Sequence, residues 1–462
     1  MSPVLAAVLA YLGLQLAIGF WASRRIRNES DYLLAGRKLG YGLATFSIFA
    51  TWFGAETVMG SAGTAYTDGA SLANAEPFGY GLCIFGMGLV FAVPLWRRKL
   101  TTLADLFRER YSVRVERVAA VILIPSSILW AAAQVRAFGH VLSLAGSLPL
   151  DLAIGIATGF TVLYTAFGGL LADAVTDVVQ GVMVALGLIA VLVAVIFALP
   201  DGLTLGAILA APGAVQVTPT TDLSWIEVAE EWSIPVFGSI LAAELVSRVI
   251  ATPTARIARR SAFLAGGMYL VIGMIPLVLG LVGRHVVPGL EDAEQVVPAI
   301  AQTLLPTALF VVFAGALLSA ILSTVDSTLL AAAGLLSHNL AIPLFRVTDE
   351  GAKVRIARWA VAGFGAIAWI LAVRAEGVFA LVEEASALGS SGAFVVIVFA
   401  LFSRRGGERT ALATLLIGLV VYAVATYAGV TAPYLLSLGA AFATYAVGAF
   451  GGGSARVMSA SP

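Results

Sequence analysis

About thirteen apolar runs in this chain are long enough to cross a bilayer, and that leaves few folds open to it. They cover roughly residues 4–22, 40–66, 73–96, 117–146, 150–168, 174–199, 229–250, 262–286, 300–342, 356–375, 378–402, 409–428 and 431–451. Backbone amides in hydrocarbon must be satisfied within their own segment, so runs of this length read as helices. The chain is 60% hydrophobic and only 12% charged, which is the composition of a polytopic membrane protein. Segments 40–66 and 300–342 exceed one crossing, so breaks, tilts or added interfacial turns are expected there. Val4–Ala22 has no small-residue cleavage pattern behind it and is followed by arginines, so it reads as a retained helix.

Basic residues set the expected orientation. They cluster around Arg24–Lys38, Arg97–Arg117, Arg248–Arg260, Arg346–Arg358 and Arg404–Arg409, with Arg456 in the tail. With thirteen crossings these clusters fall on one side, the cytoplasm, with the N-terminus outside and the C-terminus inside. The opposite loops carry Asp222, Glu227, Glu230 and Glu231, then Glu291, Asp292 and Glu294, all read first as solvated faces. Segment 213–232, with Trp225 and Trp232, is a candidate interfacial helix.

Several function classes drop out early. Net charge is zero and no basic cluster resembles a nucleic-acid footprint. One cysteine, Cys83, excludes an internal disulfide and a cysteine-rich metal site. His140, His285 and His338 are scattered, and no nucleophile–base cluster appears in the apolar core, so the chain does not read as an enzyme. No obligate protein partner is evident.

Spans 2–6 and 7–11 can be read as two five-helix units, whose odd helix number would give them opposite topology. This divides the chain into 1–39 (an extra helix and loop), 40–200 (first repeat), 201–228 (an extracytoplasmic loop), 229–402 (second repeat) and 403–462 (two helices and a tail). Inverted repeats place solute and ion sites near the midplane, at broken helices. The second span carries Gly54 and Glu56, and the seventh carries Gly238, Ser239 and Glu244.

Within the apolar run 308–336 lies Ser323-Thr324-Val325-Asp326-Ser327-Thr328. Ala320, Ser323, Thr324 and Ser327 fall at i, i+3, i+4 and i+7 and share one helix face, with Asp326 at its edge. Hydroxyls in such a stripe serve either a helix–helix seam or a cation; an intramembrane carboxylate beside them favours the ion site. Oxygen ligands without soft donors suit sodium.

Gly60-Ser61-Ala62-Gly63-Thr64-Ala65-Tyr66, then Gly168-Gly169-Leu170 before Thr176-Asp177-Val178-Val179-Gln180, then Ser323–Ser327 follow in order. In these segments the chain, over roughly residues 5–405, resembles the sodium:solute symporter family, whose fold is that of the bacterial leucine transporter. The resemblance implies an all-α integral membrane protein with two inverted five-helix repeats, coupled to sodium. It implies a common sodium site at the carbonyls of Ala50, Phe53 and Ala320 and the hydroxyls of Ser323 and Thr324. It further implies a second site at Asp177, Ser323, Asp326 and Ser327. Asp326 stands where several members have serine; a second carboxylate strengthens that site or binds a proton instead.

By position in that fold the solute pocket includes Trp52, Glu56, Thr57, Glu76, Trp130, Gln134, Glu244 and Glu383. Trp52 and Trp130 match tryptophans of the family's choline-transporter branch, and indole faces attract organic cations. Four glutamates around one cavity disfavour an anion. That branch carries a further tryptophan where this chain has Ala242-Ala243-Glu244, which turns the expectation toward a primary amine, polyamine or guanidinium compound. Arg136 is the evident basic residue in a membrane core. The expected function is sodium-coupled import of a small organic cation through a bacterial-type plasma membrane. A proline, other amino-acid or sugar symporter, a proton-coupled carrier, and a channel or sensor are the alternatives.

Overall fold

The computed structural model describes residues 3–71, 74–146, 148–199, 204–216, 224–375 and 377–450. It is helical except for one parallel two-residue pairing, Ala70–Ser71 beside Val215–Gln216, which ties two loops together. Among the described residues eleven helices are long and apolar enough to span a membrane. The expected segment 40–66 is not one of them because it is interrupted. A helix over Tyr41–Trp52 ends at Phe53, and helix resumes as a wide turn over Glu56–Gly60 and then Ser61–Asp68.

Expected runs 150–168 and 174–199 merge into one helical stretch, Leu150–Ala198, with Gly169 in a left-handed conformation (φ 56°) inside it. Tyr164 and Thr176 nevertheless share a hydroxyl–hydroxyl hydrogen bond of 2.5 Å. Twelve residues of straight helix would hold them about 18 Å apart. The chain therefore reverses at Gly168-Gly169, and only glycine fits: a Cβ on Gly169 would stand 2.8 Å from the Tyr32 carbonyl oxygen.

Trp225–Ile250 is also interrupted. A helix over Trp225–Ser233 passes through a wide turn at Ile234–Gly238, and a second helix starts at Ala243. The Ser224 hydroxyl accepts from the Glu227 amide while the Glu227 carboxylate accepts from the Ser224 amide, a reciprocal cap that fixes the entry of this element. Of the proposed interfacial segment 213–232, residues 217–223 lie outside the described residues. In expected segment 300–342 the break falls early, at Leu305-Pro306, and Thr307–Gly334 runs uninterrupted through the polar stripe.

That Thr307–Gly334 helix is the axis of the core, with every residue from Phe313 to Leu330 buried. Close approach needs small residues on both sides: a Cβ on Gly187 would meet the Ala316 methyl at 2.4 Å. At the end where the arginines gather, a polar network joins four elements. Arg108 bridges Asp105 and Glu116, each at 3.1 Å, and the Asn339 amide donates to both carboxylates. His338 lies between Glu29 at 2.9 Å and Asp105 at 3.2 Å. Burial pushes the Asp105 carboxyl up. Its hydrogen bond and charge contact with His338, together with the Thr101 and Thr102 amides, outweigh that and hold it below the usual carboxylate range. At the far end of the chain, Glu230 accepts from the Tyr434 amide at 2.6 Å and the Leu435 amide at 2.8 Å, capping the Pro433–Phe450 helix.

Candidate ion and solute site

The break at Phe53-Gly54-Ala55 frees backbone groups that a continuous helix would consume. Glu56 and Gln134 take two of them. The Gly54 amide donates to Glu56 Oε1 at 3.2 Å and the Ala55 amide to Gln134 Oε1 at 2.9 Å, while Gln134 Nε2 donates to Glu56 Oε2 at 2.6 Å. A Cβ on Gly54 would lie 2.5–2.9 Å from these same oxygens. Both residues, expected to line the solute pocket, thus hold the break in shape.

Where the Tyr41–Trp52 helix ends, its last carbonyls meet the stripe on Thr307–Gly334. The Ser323 hydroxyl donates to the Ala50 carbonyl at 2.7 Å and the Thr324 hydroxyl to the Thr51 carbonyl at 3.1 Å. Both also reach the Ala320 carbonyl, at 3.0 and 3.3 Å. Four of the five residues expected at the first ion site are therefore joined by direct bonds, and Phe53 stands at the helix end beside them.

The second expected site is built around an ion pair that sequence reasoning missed. Arg248, counted above with a loop cluster, is wholly buried. Its guanidinium pairs with Asp173 and donates to the Ser327 hydroxyl, and its other nitrogen donates to the Glu244 carbonyl and the Ser247 hydroxyl. The buried base of the core is thus Arg248. Arg136 instead donates to the Ala372 carbonyl and lines a separate cavity with His140 and Asp292. Asp173 precedes Asp177 by four residues, and Arg248 follows Glu244 by four, so each shares a helix face with a residue already singled out. That spacing was the available signal.

Asp326 Oδ1 accepts from the Ser327 amide at 2.8 Å. Asp326 Oδ2, both oxygens of Asp177 and both polar atoms of Gln180 are buried without a hydrogen-bond partner. Buried charge needs compensation, and one arginine answers only one of three carboxylates. This oxygen-rich donor set suits a hard cation or a proton.

On the other side of the break, three aromatic rings pack in series. The Trp52 and Trp130 ring centres are 5.6 Å apart, and Tyr80 lies 5.9 Å from Trp130. Neither indole N–H has an acceptor. Tyr80 also lines a cavity of about 80 Å³ with Glu76, Glu231 and Glu383, and Trp130 lines a smaller one of about 20 Å³ that reaches Glu244 and Ser127. Thr57 lies at the Glu76 end, where its hydroxyl donates to Glu76 at 2.8 Å. The expected pocket residues therefore divide into an aromatic centre, two acidic flanks, and the Glu56–Gln134 brace. Glu231, read from sequence as part of a solvated loop, belongs to one flank.

The sodium:solute symporter family model matches residues 32–418. The human high affinity choline transporter 1 is 28% identical over 417 residues, covering 82% of this chain and 69% of the transporter. The Torpedo marmorata high-affinity choline transporter 1 is 27% identical over 446 residues, covering 90% and 75%. Among solved structures, a substrate-bound, outward-open Na+-coupled sialic acid symporter aligns over 99% of both chains with a TM-score of 0.87 and 17% sequence identity. That likeness shows the fold.

Proposed function

Because the chain belongs to the sodium:solute symporter family, and so is a membrane transporter and not an enzyme, we propose that it imports a small organic cation together with sodium. One observation carries this reading. The tilted, mutually packed Trp52, Trp130 and Tyr80 rings lie between carboxylates and beside a helix break whose carbonyls meet the Ser323–Thr324 hydroxyls. Ring faces and carboxylates favour a cation and reject an anion. The similarity to choline transporters points the same way.

In this reading sodium is a co-substrate held at Ala50, Phe53, Ala320, Ser323 and Thr324, where it bridges the interrupted helix to the axial one. The cation docks against Trp52 and Trp130 near Thr57, Glu76, Glu244 and Glu383, and the Glu56–Gln134 brace keeps the break in register. Sodium binding draws the two helices together and completes the solute site. Low sodium inside then empties the ion site, and the solute follows. One sodium moving inward contributes roughly 2.3 kcal/mol per 100 mV. A second cation at Asp177, Ser323, Asp326 and Ser327 would double that. The unpartnered oxygens of Asp177 and Asp326 also favour a proton there, and uptake driven by an inward acid gradient without sodium would identify it.

The architecture that fits is thirteen crossings of a plasma membrane, N-terminus outside and C-terminus inside, with inverted repeats over 40–200 and 229–402. The flanks are 1–39 and 403–462, and 201–228 is an outer loop. The interrupted first helices of both halves, Tyr41–Asp68 and Trp225–Ile250, support that layout, as does the reversal at Gly169, which makes two crossings of one stretch.

The test is thermal unfolding of the purified protein with amines, amino acids and sugars, each in sodium or potassium. Stabilisation by organic cations only in sodium, weakened about 2- to 30-fold in apparent affinity by Trp130→Ala, is expected from a cation–ring contact of roughly 0.5–2 kcal/mol. Stabilisation by sugars or proline alone, or by cations equally in potassium, overturns the reading.

A further inference from the structure

The larger cavity lined by Tyr80 is more acidic than a single positive charge requires. Glu76, Glu231 and Glu383 all line it, and its remaining lining is Thr64, Asn74, Ala75, Tyr80, Ile234, Pro235 and Val382, without a lysine, arginine or histidine. Glu76 is 4% exposed. Its Oε1 accepts from the Thr57 and Tyr269 hydroxyls, while its Oε2 faces no donor at all. A buried carboxylate oxygen without a partner is costly unless something positive meets it. The volume, about 80 Å³, is ample for several waters. It has room for an ammonium head with a short methylene stem.

Tyr80 links this cavity to the aromatic centre, since its ring packs on Trp130 and also lines the acidic chamber. A cation held on the tryptophans and a second positive group near Glu76 would be joined past Tyr80. Ile234, Pro235 and Val382 offer apolar surface to the linking methylenes. A monocation such as choline satisfies the rings and leaves the chamber uncompensated.

We propose that the transported solute is a linear diamine, with one ammonium at the Trp52–Trp130 pair and the other in the Glu76–Glu231–Glu383 chamber. This rests on the organic-cation reading above and narrows it. Glu231 is then a specificity residue for the second positive charge. Its carboxylate contributes long-range attraction as well as direct contact, and a neutral glutamine of the same size removes both.

The experiment measures dissociation constants from sodium-dependent thermal stabilisation of the full-length protein. The probes are 1,4-diaminobutane and 1,5-diaminopentane, the monoamines butylamine and pentylamine, and choline. We expect the diamines to bind at least tenfold more tightly than monoamines of equal length, and that ratio to fall at least fivefold in Glu231→Gln. A diamine-to-monoamine ratio near one in the unmodified protein overturns the inference without any variant. A ratio that survives Glu231→Gln overturns the role of the chamber. If choline and the monoamines bind in sodium but diamines gain nothing, the diamine proposal fails and the cation reading stands. If no amine binds while sugars or proline do, both fail.

Discussion

Replacing Arg248 by methionine tests the buried centre most directly. The guanidinium is fully enclosed and contacts Asp173, Ser327, Ser247 and the Glu244 carbonyl. Methionine keeps much of the length and apolar stem but strands Asp173, whose other contacts to Ser327 are long, 3.4 and 3.5 Å. Removing one member of a buried pair typically costs about 3–5 kcal/mol, whereas replacing both with apolar groups is often neutral or better. The double variant Arg248→Met with Asp173→Leu is therefore expected within about 1 kcal/mol of the parent, giving a coupling energy of roughly 3 kcal/mol or more. Unfolding in mixed micelles, titrated with a denaturing detergent, supplies the four free energies of the cycle. Sodium should also protect Arg248→Met more than the parent, because three neighbouring carboxylates then lack their internal cation. A single variant costing under about 1 kcal/mol, or a double variant whose loss equals the sum of both single losses, would refute the assignment of Arg248 and Asp173 as a coupled pair.

Three further outcomes are expected. Ser323→Ala with Thr324→Ala removes the two hydroxyls proposed to hold sodium, each worth roughly 1.5–3 kcal/mol to a charged partner, so the sodium concentration for half-maximal uptake should rise at least tenfold; a proton-coupled carrier would keep its activity. Gly54→Ala forces a methyl to within 2.5–2.9 Å of the Glu56 and Gln134 oxygens, so it should lower thermal stability and abolish uptake, and a fully active variant would contradict the brace. The Asp105 carboxyl is held below its ordinary value, so its ionised form stabilises the fold above the usual carboxylate range and that stabilisation is lost as pH falls through the depressed value; Asp105→Asn should melt lower at neutral pH and show a shallower loss of stability on acidification than the parent.

Apolar length was the most readable signal, because a bilayer dictates it for every crossing irrespective of neighbours. The interruption of the second span was also legible, since Gly54 and Glu56 in hydrocarbon make poor sense in an unbroken helix. The stripe from Ala320 to Ser327 could be read because helical periodicity alone puts it on one face. Arg248 could not be read this way. A count of positive charges treats an arginine at a span's end as solvated; its four-residue spacing from Glu244 was the one hint, and the approach of Asp173 from another helix shows that it is enclosed. Glu231 was hidden for the same reason: Asp222, Glu227, Glu230 and Glu231 together looked like a wet loop, while the fold sends Glu230 to a helix cap and Glu231 to the chamber. Glu56 and Gln134 were expected in the solute pocket, but their bonds to the Gly54 and Ala55 amides depend on local unwinding that composition does not encode.

The cap that Glu230 forms on the Pro433–Phe450 helix has a mechanical meaning. Both carboxylate oxygens grip the first amides of that helix, and Glu230 is rooted in the same Trp225–Ser233 element that supplies Glu231 to the acidic chamber. The final helix is thereby harnessed to the chamber wall like a tiller to a rudder. Any tilt of the wall would be magnified along its eighteen residues, so a spectroscopic label near its distal end would report it at a distance.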